Sequence, residues 1–479
     1  MKKTIILFFL VLSLTSFAQQ KSDKRGISEN NFTYEAEVNA LANGITWYYN
    51  WGQTPSANVK NVVGPGKSVE FVPMIWNASV DSNGNLTNVA SLISYLDQNP
   101  GVKYLLGFNE PNFKAQANML PTDAAKAWKA VEAIATKYNL SLVSPALNYS
   151  GEALSDGKVY QPVDWMDAFI AAYKDQNGGA EPRMDYVALH SYMNSPTAMM
   201  SFIENFSKRY NRKVWLTEFC SWEGEVDSIS QQSSMTNKIN SLEQSEYVYR
   251  YSWFKAKGSA VAPFYRLLVN PNIITKLPAV GTLSNTGQFY VNMSGYDKNK
   301  YYLPGETILA KDYVNVVGSG IQLNTDTSFP MSNIVLSSFD TGAKLDYLVE
   351  VPSDGVYNLE VRCSSRPFLQ LPKIGIYVDG SSTAAVQQLM TSTGMTETED
   401  KWETQVIAVP LIAGKHKLQL RSLQSTECKL NWMRISSATG ITEVQTNTNG
   451  DDAIYDLQGR KTINTTYGII IRNGKKYLK

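Results

Sequence analysis

The chain has 479 residues, 43% of them apolar and 18% charged, with 27 tyrosines and 10 tryptophans. It is too long for one typical domain and has the composition of a soluble globular protein. Lys and Arg total 44 against 43 Asp and Glu, a formal charge of +1; this leaves no electrostatic footprint for nucleic acid or an anionic membrane. A neutral ligand suits that balance, and abundant aromatic rings suit stacking on the apolar faces of sugars.

The opening stretch MKKTIILFFLVLSLTSFAQQ places Lys2 and Lys3 before an apolar run and the small residues Ser16 and Ala18 near its end. This is the pattern of a signal peptide over 1–18, cut after Ala18. The run is short for a membrane span of about 20 residues, and no later segment is long and apolar enough to cross a bilayer. The expectation is an exported protein, secreted or held at the cell surface.

From about 40 to 293, short apolar segments alternate with helical patterns. Strands are expected at GITWYYNW (44–51), EFVPMIW (70–76), YLLGF (104–108), LSLVSPAL (140–147), YVALHSY (186–192), VWLTEF (214–219) and AVAPFYRL (260–267). Trp128, Val131, Ala135 and Tyr138 fall at helical spacing, as do Trp165, Phe169 and Ala172, and Met199, Phe202 and Phe206. The alternation predicts a (β/α)8 barrel of the TIM type. Seven strands are clear, and the eighth is expected between 52 and 69.

Several of these strands end in polar or aromatic residues: Asn50-Trp51, Trp76-Asn77, Asn109-Glu110, His190-Ser191-Tyr192 and Thr217-Glu218. In such a barrel the carboxyl ends of the strands face the active site. Glycosidic hydrolysis commonly uses one carboxyl as proton donor and another as nucleophile or base. A lone Glu at a loop start is usually structural or solvated; Glu110 and Glu218 as a pair, each after an apolar strand, point to that chemistry. A neighbouring carboxylate would raise the pKa of the acid toward working pH. His190 and Tyr192 would orient Glu218 or bind substrate, the alternative for His190 being a hydrogen-bonded core residue. Trp47, Trp51, Trp76 and Trp222 are candidate sugar platforms with core packing as the alternative, and Tyr49 shares strand parity with Trp51. Only His190 and His416 are present, in different expected domains, which argues against a Ser-His-Asp hydrolase. No metal cluster or phosphate loop is apparent, and Cys220 reads as packing.

After about 300 the helical period fades. Alternating segments such as KLDYLVEVPSDGVYNLEVRC, KIGIYVDG, WETQVIAVPLIAGKHKLQLRS and CKLNWMRIS, separated by turn residues, predict an all-β sandwich over 303–437. Within it, Cys363 and Cys428 could pair in an oxidising compartment. Residues 438–452 are polar and read as a linker, ahead of a final segment at 453–479.

Six blocks in order, ITWYYNW, EFVPMIW, LLGFNEPNFKAQANMLPTDAAKAW, LVSPAL, DYVALHSY and VWLTEF, resemble glycoside hydrolase family 128, the endo-β-1,3-glucanases. The resemblance implies retaining hydrolysis of β-1,3-glucan, with Glu110 as acid/base, Glu218 as nucleophile and Asn109 on the sugar hydroxyl beside the reacting carbon. Gln116 and Asn118 match the same block and would bind substrate or shape the loop. A related glycosidase acting on another β-glucan or mannan, and a polysaccharide-binding surface protein without catalysis, are the rival readings.

The stretches ETILAKDYV, LDYLVEVPSDGVYNLEVRCSS and LNWMRI resemble a family 6 carbohydrate-binding module. That likeness makes Trp402 a stacking aromatic and Asn431 a hydrogen-bonding amide. Lys311 stands where the family usually has a Glu that helps to hold a structural calcium, which argues against that ion; no other cofactor is implied. The tail IYDLQGRKTINTTYGIIIRNGKKYLK is similar to the C-terminal sorting domains of type IX secretion substrates of Bacteroidetes, with a bland terminal β-element as the alternative.

Overall fold

The computed structural model describes residues 19–258, 263–270, 275–318, 320–325, 334–366, 371–424 and 427–437, together with the backbone of four short strands between 454 and 478. The expected signal peptide and linker lie outside the described residues. Among those residues no helix is long and apolar enough to cross a membrane.

Eight parallel strands form the first sheet: β1 (Arg25–Ser28), β2 (Trp47–Tyr49), β3 (Glu70–Phe71), β4 (Tyr104–Leu106), β5 (Ser141–Leu147), β6 (Tyr186–Ser191), β7 (Val214–Phe219) and β8 (Val248–Phe254). Their order is β3-β2-β1-β8-β7-β6-β5-β4. The two ends of this curled sheet meet just beyond β3, where the Leu106 N–H donates to Pro73 O and the Ile75 N–H donates to Leu106 O, both at 3.0 Å. The result is the expected TIM-like α/β barrel. The connections include α1 (Glu35–Leu41), α2 (Ala90–Gln98), α3 (Pro121–Lys137), α4 (Pro162–Gln176), α5 (Pro196–Tyr210), α6 (Ser228–Gln244) and α7 (Asn285–Asn292).

Local chemistry sets these boundaries. Both α3 and α4 open on a proline, whose missing N–H costs nothing in the first helical turn. In α5, Ser195 accepts from the Ala198 N–H, and Asn211 ends the helix in the left-handed conformation at φ 51°. Trp128 and Val131 of α3 and Trp165 and Phe169 of α4 are buried between the helices and the sheet. Gly107 is required where β4 runs into its loop, because a Cβ there would lie 2.9 Å from the Pro145 and Ser144 backbone and from the Trp128 ring.

Two strand positions differ from expectation. The eighth strand is Arg25–Ser28, ahead of the expected domain start at 40 rather than between 52 and 69. The last strand is Val248–Phe254, whereas Pro263–Tyr265 within the expected strand is a short 3-10 turn. Each overlooked strand contains an arginine that breaks the apolar pattern. Arg25 is buried and donates to Tyr251 OH, Glu243 Oε1 and the Tyr290, Met293 and Ser294 carbonyls. Arg250 pairs with Glu70 at 2.7 Å and lies 4.7 Å from the Tyr104 ring centre and 5.1 Å from that of Trp215.

The second domain is the expected sandwich. Its strands are β9 (Thr307–Leu309), β10 (Asn315–Val317), β11 (Ile321–Thr325), β12 (Ile334–Phe339), β13 (Lys344–Val351), β14 (Gly355–Ser365), β15 (Lys373–Val378), β16 (Val386–Leu389), β17 (Glu403–Leu411), β18 (Gly414–Gln424) and β19 (Cys428–Ser437). They form one sheet in the order β10-β13-β18-β15-β16 and another in the order β11-β12-β19-β14-β17, with β9 on β19. Strand β17 shows the reason: Ile407, Val409 and Leu411 are buried while the residues between them face outward. The sandwich joins the barrel through α6, where Asn240 Oδ1 accepts from Tyr296 OH at 2.5 Å and Tyr313 OH at 2.9 Å, and Gln244 Oε1 accepts from the Val316 N–H at 3.0 Å. The final segment contributes four short antiparallel strands, Ile454–Tyr455, Lys461–Thr462, Ile469–Arg472 and Lys475–Leu478.

Candidate active site

Beyond β4 the backbone is pinned on both sides. The Asn109 N–H donates to Trp76 O and the Glu110 N–H to Ala146 O, each at 2.9 Å. Glu110 itself adopts φ +42°, a left-handed conformation uncommon outside glycine. Across the barrel mouth, Glu218 stands near the end of β7. Both carboxyl side chains are more than nine-tenths buried.

His190, fully buried near the end of β6, stands between them. Its Nδ1 lies 2.7 Å from Glu110 Oε1 and its Nε2 lies 3.5 Å from Glu218 Oε1. One nitrogen of His190 and one oxygen of each carboxylate all fall within 4.8 Å of one another. Glu218 is held further by Trp51 Nε1–H donating to Oε1 at 2.7 Å and by Tyr192 OH donating to Oε2. Tyr49 OH lies 3.3 Å from the same Oε1 and 3.1 Å from Thr217 O. Asn148 Nδ2 donates to Glu110 Oε1 at 3.3 Å.

These contacts set the charges. Burial raises the Glu218 pKa; the His190 charge opposes the rise, the Glu110 charge adds to it, and donation by Tyr192 and Trp51 favours the ionised form. For His190, burial works against the charged ring, but the two carboxylates outweigh it and hold the pKa above the ordinary imidazole value. Burial and the Glu218 charge push Tyr192 well up, so it remains a phenol donor. Among the described residues, Glu110, His190 and Glu218 are the group with enough ligand atoms close together for an ion. The 2.7 Å Nδ1–Oε1 contact has the length of a hydrogen bond, so His190 bridges the two carboxylates.

The carboxylates open into a cleft of about 770 Å³ that Trp51, Trp76, Asn109, Tyr192 and Trp222 also line. Asn109 donates to Gln116 Oε1 at 3.2 Å, and its buried Oδ1 has no protein partner. Gln116 thus reaches the cleft, whereas Asn118 shapes the loop with φ +49°. Two expected substrate contacts are placed elsewhere. Trp47 is fully buried against Trp215 in the barrel interior, its Nε1–H on Lys24 O, so it is core and not a platform. Tyr49 is also fully buried and meets Glu218 instead of the open cleft, while His190, fully buried against both carboxylates, stands where it orients them, one of its two expected roles.

Sequence reasoning missed Asn30, Asn148, Glu152, Phe254 and Lys255, all of which line the cleft. The signal was available for Asn148, the first residue after LVSPAL. Asn30 and Lys255 closely follow β1 and β8, the two overlooked strands. Cys220 is buried beside Glu218, consistent with packing.

In the sandwich, Trp402 is half-buried just ahead of β17, and Asn431 is buried on β19 with its Oδ1 unpartnered. Glu403 and Leu430 both face Cys363 on the intervening β14. The two expected ligand contacts therefore stand at one end of the sheet, about 10 Å apart in strand spacing. Lys311 pairs with Asp312 at 2.6 Å, and Asp312 also accepts from Tyr302 OH at 3.1 Å. Cys363 and Cys428 are buried free thiols and not a disulfide; Cys428 faces Ser365 while Cys363 faces Leu430, so they are diagonal neighbours.

Residues 26–290 match the family model described as glycosyl hydrolase catalytic core, and residues 310–437 match carbohydrate binding module (family 6). Among solved structures, a GH128 (subgroup II) endo-β-1,3-glucanase from Pseudomonas viridiflava is 33% identical, over 57% of this chain and 98% of that one, with a TM-score of 0.47. A second of that subgroup, from Sorangium cellulosum, is 28% identical over 56% and 98%, with a TM-score of 0.46. A curated relative, alkali-sensitive linkage protein 1 of Schizosaccharomyces pombe, is 28% identical over 268 residues, which is 53% of this chain and 41% of that protein. The chain thus spans about two fifths of that relative. With the match extending over the whole barrel and both carboxylates in its mouth, the chain belongs to the glycosyl hydrolase catalytic core family.

Proposed function

We propose that this is a secreted, retaining endo-β-1,3-glucanase of glycoside hydrolase family 128, with an appended carbohydrate-binding sandwich. The observation that carries the reading is the approach of Glu110 and Glu218 oxygens to within 4.8 Å. Retaining pairs stand about 5–5.5 Å apart, whereas inverting pairs leave roughly 6.5–9.5 Å for a water molecule. The described activity of the 33%-identical Pseudomonas viridiflava relative supports the substrate class.

In this mechanism Glu218 attacks the anomeric carbon while Glu110 donates its proton to the departing glycosidic oxygen. The C–O bond to the leaving chain breaks as the glycosyl–Glu218 ester forms. Glu110, now a base, takes a proton from water, and the resulting hydroxide displaces Glu218 and frees the sugar. His190 holds Glu110 in place and shares its proton. Trp51 and Tyr192 fix the Glu218 carboxylate for attack, and Asn109 Oδ1 accepts from the hydroxyl beside the reacting carbon. Trp76 and Trp222 supply apolar faces for the flanking sugars.

The test is release of reducing ends from curdlan, laminarin, cellulose and mannan by the mature chain and its Glu218→Gln variant. Release from the β-1,3-glucans that disappears in the variant is expected. Cleavage of cellulose or mannan alone moves the assignment to another glycosidase, and binding without release makes the protein a non-catalytic binder. For export, the basic-apolar start and the sorting-like tail support passage beyond the outer membrane by a type IX route. Terminal sequencing of protein collected outside the cells, with cleavage after Ala18 and loss of the tail, checks this.

A further inference from the structure

Of the exposed aromatic residues among those described, Tyr34, Tyr149 and Trp222, Trp222 belongs to the cleft and Tyr34 precedes α1 as its cap. Tyr149 lines a different depression. This groove, of about 410 Å³, lies between the start of α4 and one face of α5, with Gln161, Phe202, Asn205 and Arg209 among its walls. Tyr149 as a residue is 51% exposed, yet its ring is braced: its centre lies 4.8 Å from that of Phe202 at 41°, and Phe202 in turn packs against Phe206 one helical turn on. A fixed ring with an open side, bordered by two amides, is the chemistry that receives the C–H face and the hydroxyls of a sugar. Arg209 is neutralised by Asp167, which favours an uncharged ligand over an anion.

Continuity with the cleft identifies the occupant. Asn148 lines the cleft and donates to Glu110, and Tyr149 is the next residue. Glu152 returns to the cleft. The loop between is tied down by Asn112 Nδ2, which donates to Asn148 O at 2.7 Å and Tyr160 O at 3.0 Å, and by Gln161 Nε2 donating to Ser150 O at 2.9 Å. One anchored loop is therefore the wall of the cleft on one side and a platform on the other, its successive Cα atoms about 3.8 Å apart.

We infer that the Tyr149 groove is a second glucan-binding site, which holds a stretch of the polymer outside the cleft. The inference rests on the cleft being a glucan-cleaving site and adds a contact made only by chains long enough to pass the Asn148–Glu152 wall. The test uses the full chain carrying Glu218→Gln and Trp402→Ala, which silences turnover and the expected stacking ring of the sandwich, run in native gels with and without laminarin. Adding Tyr149→Ala should weaken the laminarin-dependent retardation about three- to tenfold in apparent affinity, and Tyr149→Phe should restore it. Equal retardation with and without Tyr149→Ala overturns the inference, as does an absence of retardation in both. Hydrolysis of a short β-1,3-glucan oligosaccharide by the unmutated chain is a separate readout: its failure removes the reading of the cleft, whereas equal gel mobility removes only the groove.

Discussion

His190 stands between two buried carboxylates, 2.7 Å from a Glu110 oxygen and 3.5 Å from a Glu218 oxygen. His190 keeps a proton to higher pH than an ordinary imidazole because Glu218 and Glu110 both face it, and burial keeps Glu218 protonated to higher pH than an exposed carboxyl. The proposed mechanism requires Glu218 ionised and a proton retained in the site, so kcat/KM should trace a bell against pH. Its acid limb should lie above the ordinary glutamate value of about 4.3 and its alkaline limb above about 6.5. His190→Asn should draw the alkaline limb downward; a profile unchanged by that substitution would show that His190 does not set that limb. Glu110→Ala should slow hydrolysis of a substrate with a poor leaving group by roughly 10²–10⁴-fold, read as initial rates. The two glutamates were legible because each follows an apolar run that the barrel topology converges on one mouth. The placement of Trp47 and Tyr49 was not, since parity along one strand says which side a residue takes but not how deep in the barrel it lies.

Strands and helices were legible where an apolar pattern ran unbroken, as in YLLGF and VWLTEF. β1 and β8 escaped because Arg25 opens the one and Arg250 interrupts the other, and the compensation for a buried guanidinium comes from residues far away in sequence. Arg25 meets Glu243 at 3.1 Å, with both side chains almost wholly buried. Removing one partner of such a pair leaves the other charged and uncompensated. Arg25→Leu should therefore lower unfolding stability by about 3–5 kcal/mol in a urea titration; an effect below 1 kcal/mol would show that β1 does not depend on this network. Asn30 and Lys255 escaped with those strands, because a residue's place at the barrel mouth follows from the strand it adjoins.

At the scale of the whole chain, the sandwich is joined to the barrel by a buried polar seam. Asn240→Ala would strip the acceptor from both Tyr296 OH and Tyr313 OH, and a buried hydroxyl left unsatisfied costs about 1–3 kcal/mol. A lowered melting temperature is expected by calorimetry, and an unchanged one would mean that water replaces the amide. The alternating strands made the sandwich itself readable, but the seam was not, because it is built from an α6 amide and two tyrosines that no local pattern links. In the full chain, Trp402→Ala should weaken retention on insoluble β-1,3-glucan, measured by depletion from solution; equal retention would exclude Trp402 as a stacking residue. In the proposed mechanism Glu110 and Glu218 act as a close pair on a β-linked glucan. This pairing is tested most directly by proton NMR of the reducing ends released in the first minutes from a β-1,3-glucan oligosaccharide. The β-anomer should appear first, with the α-anomer growing in only by mutarotation, whereas initial release of the α-anomer would contradict the account.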